Sequence, residues 1–91
     1  MSESHQLILY TGTLCHLCKD AKNILYGVLP ENIHFIESNI DDDPRNKSAY
    51  GMRIPVFVVK SSTGEIAAEK DWPFTPGQIR KILGDYCLNG D

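Results

Sequence analysis

The chain has 91 residues, 42% of them apolar, and a net charge of −3 from 9 basic and 12 acidic side chains. That length supports one domain with a modest core, and the charge balance supplies no basic patch for nucleic acid. The opening Met1-Ser2-Glu3-Ser4-His5-Gln6 is polar, without the basic-then-apolar pattern of a secretion leader, and the apolar runs are far too short to cross a membrane.

Three cysteines are an odd number for a secreted disulfide scaffold, so the expectation is a cytoplasmic protein in which a cysteine pair is catalytic or metal-binding. The domain is expected to fill residues 1–91, with 1–5 as a flexible N-terminus and the chain a monomer.

Gln6-Leu7-Ile8-Leu9-Tyr10 reads as a strand apolar on both faces, hence covered on both. Thr11-Gly12-Thr13 is a turn. From Cys15, apolar residues recur at Leu17, Cys18, Ala21, Ile24, Leu25 and Val28, one face of a helix that should stop between Gly27 and Pro30. Residues 32–40 form a second strand, with Ile33, Phe35 and Ile36 toward the core. Asp41-Asp42-Asp43-Pro44 reads as an acidic cap with proline in the first turn of a helix running to Tyr50, and Gly51 ends it.

Residues 54–60 form the third strand, with Pro55 at its opening, where it costs no ladder bond. Ser61-Ser62-Thr63-Gly64 turns the chain into a returning edge strand over 65–69. A loop at Asp71-Trp72-Pro73-Phe74 follows, in which Trp72 and Phe74 cap the core or form part of a partner surface. Thr75-Pro76-Gly77-Gln78 carries the residues of a capping box. It opens a last helix burying Ile79, Ile82, Leu83 and, further on, Tyr86 and Cys87. The order is β-α-β-α-β-β-α: an α/β domain with a four-stranded mixed sheet, the first strands parallel through right-handed crossovers, and helices on both faces.

Cys15-His16-Leu17-Cys18 is the chemical centre of this plan. A spacing of three puts both thiols on one helical face. One thiolate can attack a disulfide while the second resolves the mixed disulfide. Cys15 falls at the helix start, where unpaired N–H groups and the positive dipole end favour a thiolate. It is the expected nucleophile, and Cys18, one turn in, the resolving thiol. His16 either supports the Cys15 thiolate or is an exposed helix residue. Lys19 and Lys22 read chiefly as a solvated face. A structural zinc site needs four ligands; His5, His16, His34 and Cys87 show no paired ligand spacing, so no metal is expected. Asp41-Asp42-Asp43 lacks the spacing of a calcium loop.

This order, with C-x-x-C opening the first helix and Ile54-Pro55 opening the third strand, resembles the thioredoxin fold across nearly the whole chain, and its short length is similar to that of glutaredoxins. Thr13–Cys18, Arg53-Ile54-Pro55-Val56 and Trp72-Pro73-Phe74 resemble a group of small glutaredoxin-like proteins. The resemblance implies a thiol–disulfide oxidoreductase with Cys15 and Cys18 catalytic. It implies a cis Ile54–Pro55 peptide beside the cysteines, with the backbone of Ile54 pairing with an extended substrate. The substrate-binding residues implied are Leu14, His16, Arg53, Ile54 and Pro55, with Arg53 placed beside the proline, where it contacts a substrate carboxylate or phosphate or is a plain surface residue.

Two departures stand out. His16-Leu17 replaces the usual Pro-Tyr between the cysteines, and the stretch 72–77 lacks the Gly-Gly pair that holds glutathione in glutaredoxins. The implied partners are a disulfide-bearing protein or small thiol, with glutathione or a thioredoxin-type reductase as electron donor and no bound organic cofactor. A non-catalytic adaptor docking a partner at the Pro55 groove, and a cysteine-based metal module, are the other readings.

Overall fold

The computed structural model of the protein describes residues 5–86. Its elements run β1 (Gln6–Thr11), α1 (His16–Val28), β2 (Phe35–Asn39), a 3₁₀ turn (Ile40–Asp42), α2 (Pro44–Tyr50), β3 (Val56–Lys60), β4 (Ile66–Asp71) and α3 (Pro76–Asp85). The four strands form one mixed sheet in the order β2-β1-β3-β4. β1 and β2 are parallel; β3 runs antiparallel to β1, and β4 antiparallel to β3. The element order is the one the sequence predicts. Cys87 lies outside the described residues.

Alternation along the central strands builds two cores. Leu7 and Leu9 of β1 and Phe57 and Val59 of β3 face α1 and α3, meeting Ala21, Leu25, Phe74, Ile79 and Leu83. Ile8, Tyr10, Val56 and Val58 take the opposite face, with Ile40 and Tyr50. The period of two thus explains why both central strands carry consecutive buried apolar residues, Leu7 to Tyr10 and Val56 to Val59. Each fully buried Leu, Ile or Phe contributes about 1.5–3 kcal/mol relative to exposure.

The second face is covered only in part. α2 has seven residues, about 10 Å of helix at 1.5 Å per residue. It stacks Tyr50 on Tyr10 with ring centroids 4.4 Å apart. Ile36, paired in register with Ile8 on this face, remains half exposed, contrary to the sequence reading that turned it toward the core. β2 is shorter than predicted, and Ile33 packs against the α1/α3 core from the preceding loop. Leu17 was expected on the buried face of α1. It is 47% exposed because the stripe runs through Cys18, Ala21 and Leu25, and Leu17 lies about 100° around the helix from Cys18.

Local chemistry sets the ends. Asp43 caps α2 by accepting from the Arg45 N–H at 2.9 Å, and Gly51 closes it. The 61–64 turn places Gly64 at φ 90°, a left-handed conformation that glycine adopts freely. Thr75 and Gln78 form the predicted reciprocal cap of α3, at 3.2 and 2.9 Å. Tyr86 donates its hydroxyl to the Ala67 carbonyl at 2.7 Å, fastening the end of α3 to β4.

Candidate functional site

β1 delivers the chain to the site. After Thr11 the backbone leaves the sheet through Gly12-Thr13-Leu14 and enters α1 at Cys15, the N-cap residue, with extended dihedrals of φ −132° and ψ 98°. The Cys15 sulfur accepts the Cys18 N–H at 3.2 Å, in the way a serine or aspartate oxygen caps a helix. Cys15 and Cys18 are joined in a disulfide, their Cα atoms 5.4 Å apart. Cys15 is partly exposed, whereas Cys18 is 4% exposed and packed under the first turn. The first turn of α1 carries no acidic residue, so no carboxylate there opposes negative charge on the Cys15 sulfur.

The opposite wall is the approach to β3. Register pairs Tyr10 with Val56, which brings the segment after β1 alongside Ile54–Pro55. A Cβ placed on Gly12 would lie 2.5 Å from Ile54 Cδ1, so the Ile54 side chain rests on the loop leading to the cysteines. Ile54–Pro55 is cis, as the resemblance implied, and Trp72–Pro73 is a second cis peptide that the sequence did not announce. The N–H of Ile54 donates within the chain, to the Tyr50 carbonyl at 3.2 Å, and the Pro55 carbonyl accepts from the Trp72 N–H at 3.0 Å.

Arg53 is engaged on the same wall. Its guanidinium makes a forked pair with Asp71, at 3.0 and 2.8 Å, and a third bond to Glu69 at 2.6 Å. It also lies 5.2 Å from the Tyr50 ring centroid. These hydrogen bonds raise the pKa of Arg53 and hold the Asp71 carboxyl below its ordinary value. The Tyr50 hydroxyl donates to Glu69 at 3.3 Å, and burial, then the Glu69 charge, pushes its pKa up to about 12. β4 extends to Asp71, two residues beyond the predicted end, and this extension completes the cluster. Glu69 and Asp71, two apart on a strand, both reach Arg53 from one face.

A second network fixes the cysteine loop from the side of β2. Thr13 donates its hydroxyl to Asp41 at 2.7 Å and its N–H to the same oxygen at 3.3 Å. Asn39 donates to the Thr13 hydroxyl at 3.3 Å, and Lys47 pairs with Asp41 at 3.4 Å. The Thr13 hydrogen bonds hold the Asp41 carboxyl below the usual range. Asp41 therefore has a role apart from the cap of α2, which falls to Asp43 alone. Residues 13 and 41 are 28 positions apart, and no local pattern links them. Lys22, read as a solvated helix residue, pairs with Glu37 at 3.3 Å. His16 and Lys19 are exposed. Phe74 is buried, and Trp72 packs edge-on to it at 5.1 Å, half-buried against the α1/α3 core.

Among the described residues, no group of three or more His, Cys, Asp or Glu side chains is arranged to hold a metal ion. Among the same residues no helix is long and apolar enough to cross a membrane.

Residues 6–84 match the model of the glutaredoxin-like domain (DUF836), and the chain belongs to that family. Its fold is accordingly thioredoxin-like, of the glutaredoxin type. The X-ray structure of the Northeast Structural Genomics target protein XcR50 from X. campestris is 37% identical with a TM-score of 0.69, covering 87% of this chain and 96% of that one. The solution structure of the same target is 36% identical, TM-score 0.67, over 88% and 94%. A malarial protein shares the fold at 9% identity and a TM-score of 0.70, over 91% of this chain and 97% of its own. No curated protein matches the chain.

Proposed function

We propose that the protein is a thiol–disulfide oxidoreductase, with Cys15 as nucleophile and Cys18 as resolving thiol. The observation that carries this reading is the seat of Cys15. Its sulfur occupies the N-cap of α1 and receives the Cys18 N–H, while its partner sulfur lies buried one turn inside. In the reduced protein the same N–H and dipole end favour a thiolate on Cys15. That thiolate attacks a substrate disulfide, and the departing sulfur leaves as a thiolate that takes a proton from water. Cys18 then loses its proton and attacks the Cys15 sulfur. This closes the internal disulfide and releases the second substrate sulfur. Two electrons pass from the dithiol to the substrate, and a dithiol reductase or glutathione returns them. The Ile54 carbonyl is the backbone group offered to an extended substrate here, since the Ile54 N–H already donates to Tyr50.

Alkylation of the reduced protein as a function of pH tests the reading. Cys15 should titrate well below the free-thiol value of about 8.5 and react ahead of Cys18. Mild oxidation should remove two of the three thiols without forming dimers. Cys18→Ser should accumulate a mixed disulfide at Cys15 and lose multiple turnover. A Cys15 no more reactive than an ordinary thiol, together with no reduction of a small disulfide, overturns the assignment.

A further inference from the structure

We infer that Arg53 is a positioning residue: its fork to Asp71 and its bond to Glu69 fix the stretch that presents the Ile54 carbonyl to a substrate backbone. The inference rests on the oxidoreductase reading above and adds to it a residue that touches neither substrate nor sulfur.

The stretch before β3 needs such a hold. Pairing of β3 begins at Val56, with Tyr10 on one side and Asp71 on the other, so Ile54 lies beyond both ladders. Two backbone bonds tie the stretch to its own turn, the Arg53 and Ile54 N–H groups both donating to the Tyr50 carbonyl, at 2.8 and 3.2 Å. Toward β4 the backbone supplies one bond, from the Trp72 N–H to the Pro55 carbonyl. The Arg53 side chain supplies three more, from Nε and Nη2 to Asp71 and from Nη2 to Glu69. A planar fork that meets a carboxylate at two points sets orientation as well as distance. Asp71 is itself anchored, because it sits in the rung opposite Val56. The Tyr50 hydroxyl on Glu69 and the Tyr50 ring stacked on Tyr10 tie the cluster to the sheet. A carbonyl held in one place orients the substrate backbone before the sulfur reacts.

The same bonds take Arg53 out of the two roles left open by the sequence. Three of its five N–H donors are committed to carboxylates. A substrate carboxylate arriving there would meet two acidic groups against one basic one. Nor is Arg53 a plain surface residue, since its guanidinium lies 5.2 Å from the Tyr50 ring centroid and bonds to two residues of β4.

Single-turnover oxidation of the reduced full-length protein tests the inference without an external donor. The oxidants are hydroxyethyl disulfide, which has no peptide backbone, and two octapeptides disulfide-linked to 2-mercaptoethanol that differ only in Gln or Glu beside the cysteine. In Arg53→Met the rate with each peptide, relative to hydroxyethyl disulfide, should fall about fivefold, and equally for both. Arg53→Lys keeps the charge without the fork and should lose as much. Asp71→Ala should lower the ratio too, and adding it to Arg53→Met should lower it no further, as for two residues acting through one contact. Asp71→Ala also reads the fork by itself if Arg53→Met does not fold. An unchanged ratio in Arg53→Met or Asp71→Ala, a loss confined to the Glu peptide, a wild-type ratio in Arg53→Lys, additive losses, or wild-type protein that neither peptide oxidises overturns the inference while leaving the oxidoreductase reading in place. Failure of all three oxidants on the wild-type protein overturns that reading and the inference with it.

Discussion

A methyl group at Gly12 would meet Ile54 Cδ1 at 2.5 Å, so the absence of a side chain there lets the two walls of the site close on each other. Gly12→Ala should cost about 1 kcal/mol, the low end for an overpacked contact, because the opposing atom is the tip of a side chain that can move. Ile54→Val removes that atom. In its background Gly12→Ala should cost measurably less, a non-additivity that urea denaturation of the two singles and the double would read. An equal cost in both backgrounds would place the effect in the backbone freedom of glycine instead. At this scale the cysteines were legible because their chemistry dictates their spacing. The full exposure of Met52 was not, because nothing in Tyr50-Gly51-Met52-Arg53 distinguishes an exposed methionine from one folded into the core.

Between elements, the Arg53 fork joins the approach to β3 with the end of β4, and its pH dependence has a definite sign. Arg53 lowers the Asp71 carboxyl below its ordinary 3.8. A carboxyl depressed on folding adds stability that is present above the ordinary value and is lost as pH falls through the native one. Asp41 and Asp43, held low by Thr13 and by the Arg45 N–H, act in the same direction. Melting temperature should therefore be level between about pH 7 and 5 and decline below about pH 4. Arg53→Ala should cost about 1 kcal/mol at neutral pH, a modest figure because the Arg53 side chain is 36% exposed and the pair is screened by solvent. Part of the acid sensitivity should vanish in Asp71→Asn. Thermal denaturation across pH reads both, and an Arg53→Ala protein with the wild-type profile would remove the fork from the account. The sequence placed Asp71 in a loop. Pairing of Lys70 and Asp71 with Phe57 and Val56 carries the strand further, and such extension follows from the partner strand, not from local preference.

For the molecule as a whole, order and topology were legible because apolar runs of the right length alternate with an amphipathic helix, capped ends and a glycine turn. The unequal cover of the two faces was not. α1 and α3 shield one core, while α2 is too short to cover Ile36 on the other, and helix length is settled by the caps at Asp43 and Gly51. The Thr13–Asp41 and Arg53–Asp71 links were equally hidden, since each joins residues far apart in the chain.

Trp72 is the chain's single tryptophan, and its backbone grips the Pro55 carbonyl while its indole leans on Phe74. The protein thus carries its own optical reporter, with one foot in the interior and one on the rim of the sulfur chemistry. Dithiothreitol added under native conditions should alter its emission intensity at constant wavelength, whereas guanidinium should move the maximum to the red. Two separable signals from one fluorophore would let thiol exchange and unfolding be followed in the same cuvette, with no label attached.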